Sequence, residues 1–174
     1  MDIFEAFARR RSVRKFSGAE ISAEALDRII SAGLSSPSGR GKWPCELISV
    51  RDRKTLDLLS QCKPGTAKML ADADCAIAVI ADETRSDTWI EDASIVMSNL
   101  HLAAAGLGLG SCWVQCRGRK TPDGIDSEEY VRGILNFPRE YRLLAILALG
   151  VPAEEPECRD ILLLRREKLH SEKY

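Results

Sequence analysis

Apolar positions along the 174-residue chain repeat with two periods, and the alternation of those periods outlines the fold. Ile3, Phe4 and Phe7 share one face of a helix predicted over 2–10. Ser22 has the chemistry of an N-cap, and Leu26, Ile29, Ile30, Gly33 and Leu34 follow at the spacing of a buried helical face. SSPSGRGKWP (35–44) is too rich in Ser, Gly and Pro for the interior of a helix or strand. CELISV (45–50) reads as a strand, 53–62 as a charged helix, and CAIAVIA (75–81) as a strand buried on both faces. The longest helical pattern covers 88–107 and ends at Gly106 and Gly108; its small residues suit close packing on several sides. GSCWVQC (110–116) reads as a strand. DSEEYVRGIL (126–135) carries Asp126 and Glu129 at capping-box spacing, and RLLAILALG (142–150) is the last strong strand before a polar tail. Helices and buried strands thus alternate through one domain spanning 1–174. The connections are long enough for helical crossovers, with antiparallel pairing also open.

Composition narrows the function. Apolar residues make up 45% of the chain and charged residues 29%, with a net charge of −1. That is globular composition, without the overall field that would recruit nucleic acid or an anionic membrane. No apolar run approaches the ~20 residues of a membrane span. The six cysteines are scattered, mostly inside apolar runs, and MDIFEAFARRR has no apolar signal core. They read as reduced thiols of a cytoplasmic protein, packed as small hydrophobes. No CxxC is present, and His101 and His170 are isolated, so no metal site is expected.

Against near-neutrality, RRRSVRK (9–15) gathers five cations in seven residues. Arg10, Arg11, Ser12 and Arg14 offer guanidinium forks and a hydroxyl where a helix gives way to a loop, equipment for clasping a phosphate. A basic last turn complementing the helix dipole is the alternative. In the 35–44 loop, Ser36, Ser38, Gly39 and Gly41 would let backbone N–H groups approach a planar or anionic ligand, and Arg40 and Lys42 add charge; an ordinary loop is the alternative. GLGLGSCWVQ (106–115) has glycines before a strand, but a helix precedes them, the reverse of a dinucleotide fingerprint. GxSxG, HExxH and P-loop signatures are absent, and two histidines leave little for acid–base catalysis. Such a chain needs a cofactor to supply reactivity.

Taken together, RRSVRKF, SPSGRGKWPCELISV, WIEDASIVMSNLHLAAAGLGLGSCWVQ and ALGVPAEEP resemble, in order, the segments of the nitroreductase family of FMN-dependent oxidoreductases, from about residue 3 to 156, with a further tail match at REKLHSEKY. The resemblance implies an α+β fold with a central mixed, mainly antiparallel sheet flanked by helices. It also implies a homodimer with flavin sites shared across the interface; the 88–107 helix is the candidate centre of that interface. Arg10, Arg11, Ser12 and Arg14 would hold the FMN phosphate and ribityl chain, with Arg159 preferred over Arg165 or Arg166 as the tail cation that completes the site. Pro37, Ser38 and Gly39 would line the flavin, and Gln115 falls where the family sets backbone near flavin N5.

Hydride would pass from NADH or NADPH to the flavin and electrons on to a small acceptor such as a nitroaromatic or quinone, with no catalytic side chain required. A non-catalytic FMN carrier, or a dehalogenase or flavin-breakdown enzyme of the same fold, is the alternative. The chain departs from the family's loop A-P-S-x-x-N-x-Q-P-W: Gly41, Trp43 and Cys45 stand where Asn, Gln and Trp are usual. Backbone N–H groups, or Arg40 and Lys42, must then serve the flavin's pyrimidine edge. The short segment after CWVQ implies a more open substrate pocket.

Overall fold

Local chemistry starts each helix where the pattern predicts. The computed structural model describes residues 2–161 and 165–174. Asp2 caps α1 (Ile3–Arg9), Ser22 caps α2 (Ala23–Leu34) and Asp52 caps α3 (Arg53–Leu59). α3 stops short of the predicted 53–62, because Ser60 turns its hydroxyl back onto Asp57 O and the chain leaves in tight turns. α4 (Trp89–Gly106) is the longest helix. Asp126 caps α5 (Ser127–Leu135) by accepting from the N–H groups of Glu128 and Glu129. Only that half of the expected capping box forms, since the Glu129 carboxylate pairs with Arg132 instead.

The strands are β1 (Cys45–Val50), β2 (Cys75–Asp82), β3 (Gly110–Gln115) and β4 (Tyr141–Gly150), in the spatial order β1-β2-β4-β3. All three pairings are antiparallel. The parallel component of the expected mixed sheet is confined, among the described residues, to a bridge between Ser12 and Ser111. β2 and β4 are central and buried on both faces, which explains their unbroken apolar runs. On one face, Ile77, Val79, Leu147 and Leu149 pack under α2 and α4. On the other, Ala76, Ala78, Ile80 and Ile146 pack under α3 and α5. The result is a helix–sheet–helix sandwich whose upper layer carries α4 as its spine. Among the described residues, no helix is long and apolar enough to cross a membrane.

All six cysteines are free thiols; Cys62, Cys75, Cys112 and Cys116 are buried in the core, as small hydrophobes would be.

Candidate cofactor site

The basic segment is tied to β3. After α1 ends, Val13 N–H donates to Ser111 O at 3.0 Å and Ser12 bridges Ser111. Gly110 makes this approach possible: a Cβ there would lie 2.8 Å from Val13. Beneath the bridge, Ser111 Oγ lies 2.8 Å from Nδ1 of buried His101. Burial, with a smaller push from the charge of Arg10, lowers the His101 pKa to about 4, so the ring is neutral at physiological pH.

The cations of this segment divide into two kinds. Arg9 is neutralised by Glu5 at 3.1 Å and Glu155 at 3.6 Å. Among the described residues, none of Arg10, Arg11, Arg14 and Arg159 has a carboxylate within salt-bridge distance. Arg11 donates to Ala8 O and Arg10 O, the helix-end role foreseen as the alternative, and Arg14 donates to Ser12 O at 3.3 Å. Arg159 N–H donates to Ala8 O at 3.0 Å, which lays the tail beside the end of α1. Burial, then the charges of Arg159 and Arg10, lower the Arg11 pKa. Arg11, Ser12 and Arg14 line an open cleft of about 390 Å³, with Glu154, Glu155 and Glu157 on its other wall.

The glycine loop sits elsewhere, against the first turn of α4. Gly39 N–H donates to Asp92 Oδ1 at 2.9 Å, and Ser38 Oγ donates to Asp92 Oδ2 at 3.0 Å. Ser38 Oγ also accepts from Trp43 N–H at 2.9 Å. Arg40 (φ 56°), Gly41 (φ 65°) and Trp43 (φ 41°) all adopt left-handed backbone. That conformation explains why a glycine can replace the family's Asn at position 41. Arg40 and Lys42 are not free cations, because both approach Asp87, at 4.0 and 3.8 Å. Pro37 and Ser38 line an apolar cleft of about 150 Å³ with Leu34, Trp43 and Val96.

Gln115 closes β3 with its side chain spent locally: Oε1 accepts from Trp113 Nε1, and Nε2 donates to Arg117 O. Its backbone is what it can offer a ligand. Arg117 lies 5.9 Å from the ring centroid of Trp89, which places the end of β3 beside the start of α4.

The structure therefore gathers Arg10, Arg11, Ser12, Arg14 and Arg159 at one end of α4, and Pro37 to Lys42 at the other. Asp92 and His101, which anchor the two groups, are about 14 Å apart along the helix. Sequence reasoning missed Asp92, His101 and Ser111. A signal for Asp92 existed: it is a carboxylate on the apolar stripe shared with Ala93, Val96 and Leu100.

A profile of the nitroreductase family matches residues 7–63 and 57–151. The chain belongs to the nitroreductase family. An FMN-dependent nitroreductase structure from Clostridium difficile R20291 shares 39% sequence identity with it and a TM-score of 0.94, covering 98% of this chain and 99% of that one. A protein of Methanothermobacter thermautotrophicus, provisionally named NADH dehydrogenase/NAD(P)H nitroreductase, is 34% identical over 100% of this chain and 88% of its own length. The NADPH-flavin oxidoreductase of Vibrio harveyi is 27% identical over 88% of this chain and 67% of its own.

Proposed function

We propose that the protein is an FMN-dependent oxidoreductase that takes hydride from NADH or NADPH and delivers electrons to a small acceptor such as a nitroaromatic or quinone. The observation that carries this reading is the cluster of Arg10, Arg11, Arg14 and Arg159, none of which forms a close ion pair among the described residues although glutamates line the facing wall of the cleft. Like charges held together with no carboxylate in direct contact suit a dianion, and guanidinium forks match phosphate oxygens in pairs. Family membership and the named activities of the C. difficile, M. thermautotrophicus and V. harveyi proteins point the same way.

FMN, when bound, supplies hydride acceptance and electron transfer, which the side chains of this chain do not. The chain's own residues bind and orient. Arg10, Arg11, Ser12, Arg14 and Arg159 hold the phosphate and ribityl end. Pro37, Ser38 and Gly39 line the ring, and the Gln115 backbone meets its reacting edge. Arg40 and Lys42 bring positive charge toward the pyrimidine edge, tempered by Asp87, and favour negative charge there. The phosphate and ring groups line separate clefts within one chain. A homodimer, with the phosphate group of one copy meeting the ring group of another, assembles both halves of the site.

Flavin titration tests the phosphate assignment. Arg11→Gln and Arg159→Gln are each expected to weaken FMN binding about tenfold or more, the worth of a charge-assisted hydrogen bond. They should leave riboflavin, which lacks the phosphate, bound as in the wild type. Equal FMN affinity in both variants would contradict the assignment.

A further inference from the structure

Asp92 is 3% exposed, carries no cation partner among the described residues, and sits beside the buried apolar residues Ala93, Val96 and Leu100 of α4. A carboxylate in such a place is costly unless its oxygens are filled. They are filled by the glycine loop and the segment before α4: Gly39 N–H on Oδ1, and the hydroxyls of Ser38 (3.0 Å) and Ser86 (3.4 Å) on Oδ2. Ser38 passes the constraint on by accepting from Trp43 N–H. Two non-glycine residues of this loop, Arg40 and Trp43, sit in left-handed backbone, which the local chain would not choose alone. Gly39 is pressed so near the start of α4 that a Cβ would lie 2.6 Å from Thr88 Oγ1.

We propose that Asp92 is the positioning residue of the flavin-lining loop. Its buried carboxylate clamps Ser38 and Gly39, and through Ser38 the strained Trp43, in the conformation that receives the ring. This inference rests on the FMN reading for its ligand, but the clamp itself is a property of the chain. Nothing in the family loop pattern points to it, since Asp92 lies more than fifty residues away in sequence from the loop it holds.

The test has two readouts. Amide hydrogen exchange of the chain without flavin should show Gly39 and Trp43 protected in the wild type, with protection lost in Asp92→Ala and partly kept in Asp92→Asn, which retains one acceptor oxygen. FMN titration should show Asp92→Ala binding on the order of a hundredfold more weakly and Asp92→Asn about tenfold, since a charged acceptor and its neutral replacement differ by roughly that much per bond. Ser127→Ala removes a buried hydrogen bond to Cys62 O on the opposite layer. It serves as the control for general loss of stability and should leave Gly39 exchange and FMN affinity unchanged. Wild-type protection at Gly39 that survives Asp92→Ala overturns the clamp, whether or not flavin binds. A clamp that shows in exchange while wild-type protein binds no FMN overturns the functional reading instead. Unaltered FMN affinity in Asp92→Ala, with exchange changed, overturns the link between loop and ligand.

Discussion

At the scale of single residues, His101 reports the electrostatics beneath the Ser12–Ser111 bridge. Its ring is buried under the Ser12–Ser111 bridge, and burial with the nearby Arg10 charge brings its pKa from 6.5 to about 4. A depressed folded-state pKa means the neutral ring favours the fold. The sign is therefore fixed: the contribution is complete above pH 6.5 and is lost as the pH falls toward 4. The gap corresponds to roughly 3 kcal/mol at the acid end. His101→Gln, which keeps a hydrogen-bonding group facing Ser111, should flatten the loss of urea stability between pH 6.5 and 4 relative to the wild type. Equal acid slopes in the two proteins would contradict the buried neutral ring. Nothing in the sequence marked this histidine beyond its isolation, because its partner Ser111 lies across a helix–strand turn. The arginines were legible, since five cations in seven residues of a near-neutral chain demand a reason. The division between neutralised Arg9 and Arg10, Arg11 and Arg14, which have no carboxylate within salt-bridge distance among the described residues, was not, because Glu155 approaches from the far end of the chain.

At the scale of elements, periodicity served best where local chemistry agreed with it. Ser22, Asp126 and the unbroken run of β2 each announced their element. Strand direction was hidden, because long connections accommodate either sense, and β4 enters between β2 and β3. α4 shows how one helix serves two surfaces. Val96, Met97, Leu100 and Ala104 face the core, while Ile95 is 38% exposed and Leu102 lines an open groove of about 420 Å³ between α1, α2 and α4. Ile3, Phe4 and Phe7 of α1 are also exposed. A paired copy of the chain covers such a surface in the proposed homodimer. Ile95→Glu costs a lone chain little, as exposed substitutions do. In an interface it would bury an unpaired carboxylate. Light scattering should find the wild type as a dimer and Ile95→Glu shifted toward monomer, with FMN affinity falling alongside. A wild type that is monomeric at micromolar concentration would contradict the shared site.

At the scale of the whole molecule, one sheet and one spine helix set the two groups proposed to meet the ligand at opposite ends of α4: an arginine cluster at its C-terminal end and a strained loop at its start. Neither group carries a reactive side chain, so the chemistry must come from the bound cofactor and the protein's work is placement. The central claim is that this placement makes a flavin reductase. Its most direct test is the visible spectrum of the FMN-loaded protein under anaerobic conditions, recorded as NADH and then NADPH is added. The account predicts flavin bands that bleach on addition of at least one nucleotide and return when a quinone or nitroaromatic is supplied. Bands that persist with both nucleotides, or a protein that takes up no FMN, would contradict it.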